Sequence, residues 1–169
     1  MDKILYVPNP FLRQKAEEIK IVGKEELKIA ENMKKIMIEA PGVGLAANQI
    51  GILKQIVTIS FIDQEKNKNI EYNLFNPKII SFSNDKSIME EGCLSFPEQF
   101  AEIERPKKIV LEYLDDNNKH IKKEAEGVEA RILQHEIDHL SGKLFVDYLS
   151  SLRRNIIIKK VQKLLKSRD

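Results

Sequence analysis

The chain has 169 residues, a length that suits one domain built on one hydrophobic core. Apolar residues make up 42% and charged residues 32%, which excludes collagen-like and disordered proteins. No apolar stretch approaches the ~20 residues that cross a bilayer, and the first eight residues (MDKILYVP) lack the long apolar segment of a secretion signal. We therefore expect a single cytoplasmic domain over residues 1–169, with no membrane partner.

The predicted elements, in chain order, are helices that precede and follow a block of strands. Apolar residues at helical spacing predict a helix over residues 24–40. Alternating or β-branched residues then predict strands over 55–62, 71–75, 78–82, 108–114 and 120–125, with a break at Asn76 and Pro77. Helices follow over 127–140 and 151–166. This order predicts an α+β fold with antiparallel or mixed sheets around the helix at 127–140, flanked by an N-terminal and a C-terminal helix.

Residues 135–139 (HEIDH) form an HExxH motif within that central helix. On a helix, residues i and i+4 project from one face, so His135 and His139 can bind one cation while Glu136 points at its open coordination position. Val128 and Ile132 precede the histidines on the same face and supply an apolar wall. The motif therefore favours a metal site with a general base over an amphipathic helix that holds two histidines by chance.

A catalytic site of this type commonly has three protein ligands and a water, so a third ligand is needed. Phe145 occupies the position at which metzincins carry their third histidine. His120 lies among lysines in a polar strand, where a solvated role is expected. Asp147 has no clear position on a helix from which its carboxylate would face the two histidines. Cys93 is the best remaining candidate, and the alternatives for this single cysteine are a packing residue and a thiol nucleophile.

Three motifs, in order and spacing, resemble those of the peptide deformylases. They are residues 42–49 (GVGLAANQ), 91–95 (EGCLS) and 135–139 (HEIDH). The similarity extends to residues 10–13 (PFLR) and 139–145 (HLSGKLF), so it covers nearly the whole chain. The resemblance implies a hydrolase that removes formate from the N-formyl-methionine of newly made polypeptides, which makes N-formyl-methionyl nascent chains the expected partner.

The resemblance also implies a role for each motif residue. The expected ligands of one divalent metal ion are Cys93, His135 and His139. Glu136 would take a proton from water and deliver it to the departing amine. The Gln49 side chain and the Leu94 backbone N–H would stabilise the negative charge that develops on the formyl oxygen. A thiolate and imidazole site accepts Fe²⁺, Zn²⁺, Ni²⁺ or Co²⁺, and the resemblance implies Fe²⁺ as the active form with Zn²⁺ as a common occupant.

The methionine side chain of the substrate needs an apolar pocket. The resemblance assigns substrate binding to Val43, Gly44, Met89, Val128 and Ile132. We expect Glu91, with Arg105, to orient one of the ligand histidines. Phe100 stands where some family members have an arginine, so any peptide contact made by that guanidinium is absent from this chain.

The last predicted helix is strongly basic although the net charge of the whole chain is only +2. Residues 150–169 contain seven basic residues and one acid. This segment is either the solvated face of a docked helix or, as in some deformylases, a contact with ribosomal RNA phosphates. We expect no DNA partner.

Two other functions are compatible with the motifs. An HExxH endopeptidase would usually recruit Glu, Asp or His as its third ligand instead of Cys. A non-enzymatic ribosome- or RNA-binding module with a structural metal would need four protein ligands.

Overall fold

The computed structural model describes residues 3–169. Within that range the helices are α1 (Lys24–Glu39), α2 (Gly127–Leu140) and α3 (Ser151–Arg168). The strands are β1 (Gly44–Ala46), β2 (Ile56–Asp63), β3 (Lys68–Phe82), β4 (Lys86–Cys93), β5 (Phe96–Pro106), β6 (Lys108–Leu114) and β7 (His120–Glu126). Short 3₁₀ turns cover Pro10–Arg13, Ala47–Ile50 and Phe145–Tyr148.

The strands form two antiparallel sheets. Five of them make one sheet in the order β1-β2-β3-β6-β7, and β4 and β5 make a separate two-stranded hairpin. Helix α2 packs on the larger sheet, where Ala130 and Leu133 join Val57 and Leu111 in one buried cluster. The predicted α+β fold with its central helix is therefore confirmed.

The ends of α2 are determined by glycines. Gly127 begins the helix with φ of +61° and Gly142 follows its end with φ of +74°, a region that glycine adopts without strain. A Cβ on Gly142 would also overlap the carbonyl oxygen of Arg13. The N-terminal segment therefore packs directly against the end of the helix that carries the HExxH motif.

The predicted break at Asn76 and Pro77 is wrong, because β3 continues through both residues. Asn76 has φ of +52°, which asparagine tolerates better than most residues, and its side chain bonds the backbone N–H and carbonyl of Ile19 at 2.7 Å each. The pairing with β6 shifts register between Phe75 and Lys78, so Pro77 needs no ladder hydrogen bond. A bulge therefore accommodates the two residues that we expected to end the strand.

Packing of α3 leaves most of its basic residues exposed. Ile157 and Val161 are buried in a cluster with Phe96, Ile103 and Phe145. The helix begins at the N-cap Ser150, whose hydroxyl accepts the N–H of Arg153 at 3.3 Å. Among the helices of residues 3–169, none has the length and hydropathy of a membrane span.

Candidate metal centre and active site

One face of α2 and the end of β4 meet at a cluster of potential metal ligands. The Sγ atom of Cys93 and one ligand atom each of His135 and His139 lie within 4.8 Å of one another. The Sγ atom of Cys93 lies 3.4 Å from Nε2 of His139. Both histidines are buried. The structure thus brings together the three residues that the motifs nominated as metal ligands.

A buried carboxylate orients His135. Nδ1 of His135 lies 2.9 Å from Oε1 of Glu91, and Arg105 donates to both oxygens of Glu91 at 2.6 and 2.9 Å. Burial alone would raise the pKa of Glu91, but hydrogen bonds from His135 and Arg105 outweigh it and lower the pKa to about 2. The Glu91 carboxylate is therefore ionised, accepts the Nδ1–H of the imidazole and leaves Nε2 of His135 for a metal.

The Gln49 side chain is oriented by the backbone beside it. Its Oε1 accepts the N–H of Ala46 at 3.0 Å, so its amide nitrogen faces Ser95 Oγ at 3.1 Å and Cys93 Sγ at 3.5 Å. Gln49 is buried in the 3₁₀ turn that follows β1. Leu94, next to Cys93 in sequence, lines a cavity that Cys93 also lines. A hydrogen-bond donor therefore lies beside the ligand cluster.

Glu136 is buried beside the proposed ligands, and no residue within 3–169 forms an ion pair with it. Its Oε2 atom has no hydrogen-bond partner among the residues that the structure describes. Burial raises the pKa of Glu136 to about 7. A carboxylate with such a pKa can both accept and release a proton near neutral pH.

Two cavities meet at Glu136. The first, of about 320 Å³, is lined by four of the predicted substrate-binding residues: Val43, Met89, Val128 and Ile132. The lining of the second, of about 530 Å³, includes Gly44, Cys93, Leu94 and Phe100. The first cavity has the size and apolar lining that a methionine side chain needs, and the second leads from the ligand cluster to the surface.

Residues that the sequence analysis set aside lie away from the cluster. His120 is exposed at the start of β7, and its Nε2 atom lies 3.6 Å from Oε2 of Glu112 on β6. Asp147 accepts two hydrogen bonds from Arg13. Phe100, in contrast, lies near the cluster: it is exposed at the rim of the larger cavity, which Cys93 also lines.

Three residues of the site escaped the sequence analysis: Arg131, Asp138 and Tyr148. Asp138 accepts from Arg105 at 2.9 Å and from the Tyr148 hydroxyl at 2.7 Å. Arg131 donates to Glu91 at 2.9 Å. Its position four residues before His135, on the same helix face, was an available signal.

The donor set fits a divalent metal ion. One thiol and two imidazoles converge in a buried site, which is the ligand chemistry of Zn²⁺ and related ions in enzymes. Three protein ligands leave one tetrahedral position for water or substrate, and the unpaired Glu136 oxygen lies beside them. Such an arrangement fits an open, hydrolytic metal site better than a closed structural one.

Comparison with known proteins agrees with this chemistry. A family model described as "Polypeptide deformylase" matches residues 1–155. Among curated proteins, the peptide deformylase of Pelagibacter ubique is 46% identical over 165 residues, which are 98% of this chain and 95% of that protein. The peptide deformylase of Rhizobium meliloti is 41% identical and covers 98% of this chain and 94% of its own.

Solved structures agree as well. The crystal structure of peptide deformylase from Ehrlichia chaffeensis matches with a TM-score of 0.94 and 36% identity over 99% of this chain and 98% of that one. A second structure of the Ehrlichia enzyme, in complex with actinonin, matches with a TM-score of 0.91 and 38% identity over 96% of both chains. With matching motifs, donor set and fold, the chain belongs to the polypeptide deformylase family.

Proposed function

We propose that Cys93, His135 and His139 hold the divalent metal ion with which this chain hydrolyses the formyl group of N-formyl-methionyl polypeptides. The convergence of their three ligand atoms within 4.8 Å carries the proposal. A bound divalent ion supplies a Lewis acid that lowers the pKa of water and polarises the formyl oxygen. Fe²⁺ is the ion we propose for the active enzyme, and the same donors accept Zn²⁺, Ni²⁺ or Co²⁺.

Glu136 is the general base and acid of this proposal. It accepts the proton of the attacking water and then donates a proton to the amine of methionine, so the C–N bond breaks with formate and a free N-terminus as products. Its burial and its unpartnered Oε2 atom support both steps. Burial also excludes bulk water, which would otherwise compete for the proton.

Gln49 and Leu94 stabilise the oxygen of the formyl group. The hydrogen bond from Ala46 directs the Gln49 amide nitrogen toward the cluster, and Leu94 contributes its backbone N–H. Donors held in advance toward a developing oxyanion contribute about 3 kcal/mol each. The first cavity then selects methionine, since Val43, Met89, Val128 and Ile132 provide the apolar wall and Gly44 permits the substrate backbone to approach.

The test is formate release by protein that is purified anaerobically and analysed for metal. We expect one divalent ion per chain and release of formate from a formyl-methionyl tripeptide, with no cleavage of its internal peptide bonds. The matched control is the same peptide with an acetyl group, which adds one methyl and is expected to react far more slowly. Cleavage of internal bonds without formate release would instead indicate the endopeptidase.

We propose further that residues 1–169 act as one cytoplasmic domain that meets its substrate at the ribosome through α3. Lys159, Lys160 and Lys163 lie on this helix and are exposed. Contacts of lysines with RNA phosphates weaken as salt rises. Co-sedimentation with ribosomes is expected at low salt and is expected to be lost when the three lysines are changed to Glu, with formate release from a short peptide unchanged.

A further inference from the structure

Successive side chains of helix α2 contact successive side chains of strand β4 along the proposed metal site. Arg131, His135 and His139 recur every four residues and therefore lie on one face of α2. The residues of β4 that meet them, Ser87, Glu91 and Cys93, are separated by even numbers and therefore share one face of the strand. His139 meets Cys93, His135 meets Glu91, and Arg131 meets both Glu91 and Ser87.

Arg131 makes the polar contacts at one end of this row of side-chain contacts between α2 and β4. Its Nη1 donates to Glu91 Oε2 at 2.9 Å and to the carbonyl oxygen of Ile103 at 2.8 Å. Its Nη2 donates to the carbonyl oxygen and the hydroxyl of Ser87 at 2.8 and 3.2 Å. One buried guanidinium from α2 therefore binds both strands of the β4–β5 hairpin.

This hairpin needs such a connection because it is separate from the five-stranded sheet. Cys93 reaches the site from the end of β4, whereas both histidines belong to α2. No ladder of backbone hydrogen bonds joins the two elements, so side chains must set their separation. Arg131 and Arg105 both bind Glu91, but Arg105 belongs to β5 and reaches α2 through its hydrogen bond to Asp138.

The charges around Glu91 agree with this role. Two guanidinium groups, Arg105 and Arg131, face two carboxylates, Glu91 and Asp138. Arg131 therefore adds an ion pair from α2 to the carboxylate that contacts Nδ1 of His135, and this ion pair fixes the position of Glu91 behind that ring.

We infer that Arg131 is a positioning residue for the metal site: it holds β4 against α2 so that Cys93 faces the two imidazoles, and it immobilises Glu91 behind His135. The inference rests on the proposed ligand set. A residue that only stabilised the fold would change the unfolding midpoint and leave metal affinity and ligand geometry of the folded protein unaltered.

The test compares Arg131→Met, Arg131→Lys and the control Glu129→Gln. Met keeps an unbranched chain and loses all five donors, whereas Lys keeps the charge but donates from a single nitrogen. Glu129 is a buried charged residue on the same helix, bonded to Tyr72 and Lys123 instead of the site. The measurements are the unfolding midpoint of the metal-free protein, Co²⁺ affinity by chelator competition, and the thiolate-to-cobalt charge-transfer absorption.

We expect Arg131→Met to weaken Co²⁺ binding by about 10- to 100-fold and to alter the charge-transfer band at saturating Co²⁺. Arg131→Lys should fall between Met and wild type, and Glu129→Gln should bind Co²⁺ like wild type whatever its unfolding midpoint. Wild-type affinity and spectrum in Arg131→Met would overturn the inference. If that variant does not fold, wild-type affinity and spectrum in Arg131→Lys would overturn it.

A different result would reject the proposed metal ligands. Absence of a thiolate-to-cobalt band in the wild-type protein would reject Cys93 as a ligand. A normal band and normal formate release in the wild type, together with unaltered Arg131 variants, would reject only the role of Arg131.

Discussion

Gly44 lies directly against the carboxylate of Glu136. A Cβ built on Gly44 would come within 2.7 Å of Oε1 and 2.8 Å of Cγ of that side chain, closer than such atoms approach in proteins. Gly44 belongs to β1 and Glu136 to α2, so the proposed base is confined by the backbone of a neighbouring element. Only glycine leaves the space that the carboxylate occupies.

Gly44→Ala is therefore expected to displace Glu136 and to lower kcat for formate release. A misplacement of about 1 Å costs on the order of 100-fold in rate, while the three metal ligands are unchanged and metal content should stay near one ion per chain. Gly23→Ala, at the start of α1, is the matched control and should keep the wild-type kcat. An unchanged kcat in Gly44→Ala would show that this contact does not position the base.

Glu136→Gln removes the proton acceptor and keeps the shape of the side chain. We expect metal content to remain intact and kcat to fall by at least ~10²-fold, the usual contribution of a general base. Metal analysis and a formate assay on the same preparation measure both quantities. Persisting turnover would remove Glu136 from the mechanism.

Cys93→Ala takes the only sulfur away from the cluster of Cys93, His135 and His139. Two imidazoles then remain, so we expect metal occupancy after dialysis to fall well below one ion per chain and formate release to fall with it. Metal analysis by mass spectrometry tests this, with the unfolding midpoint as a control for folding. Full occupancy in the variant would require a different third ligand.

Gln49→Ala removes a donor proposed to face the formyl oxygen. Loss of one such donor lowers kcat by about 10²- to 10³-fold, and we expect little change in KM because the interaction strengthens only as negative charge develops. Steady-state kinetics with a formyl-methionyl peptide separates the two constants. An increase in KM at constant kcat would instead assign Gln49 to ground-state binding.

Asp147 should make stability depend on pH. Burial raises its pKa, but hydrogen bonds from Arg13 and from the N–H of Leu144 outweigh burial and lower it below 3.8. A carboxyl whose folded-state pKa is depressed stabilises the fold above its unfolded pKa, and this contribution is lost as pH falls through the folded value.

Asp147→Asn should therefore lower the free energy of unfolding at pH 7 by about 1 kcal/mol, and this difference should shrink as the pH falls below the ordinary Asp pKa of 3.8. Urea unfolding of both proteins across a series of pH values measures the difference. A difference that stays constant as the pH falls would show that the charge of Asp147 is not responsible.

The sequence by itself determined the elements whose residues interact locally. Helix α2 has the predicted bounds, 127–140, and β6 and β7 coincide with the strands predicted over 108–114 and 120–125 except that β7 is one residue longer. The placement of His135 and His139 on one face also follows from helix geometry alone, because four residues make about one turn. The deformylase function rested on three motifs, and the family comparison confirms it.

Only the tertiary structure decided how distant segments meet. The charged segment at residues 86–106 shows little apolar pattern, yet it forms β4 and β5, because Ala101, Ile103 and Arg105 are buried on one face of β5. Likewise, β3 crosses Asn76 and Pro77 since Ile19, 57 residues away, supplies hydrogen bonds to the Asn76 side chain. Local sequence propensities indicate neither the packing that buries one face of β5 nor the contact between Ile19 and Asn76.

The proposed metal site likewise depends partly on local sequence and partly on tertiary contacts. The HExxH helix presents two of the proposed ligands by local geometry, but Cys93 is 42 residues earlier than His135 and joins it only when β4 packs along α2. Arg131 belongs to none of the three sequence motifs. Its hydrogen-bond partners, Glu91, Ile103 and Ser87, come within reach of its guanidinium group only when the chain folds. Local geometry sets spacing along one element, whereas the distance between elements depends on side chains that pair only in the folded protein.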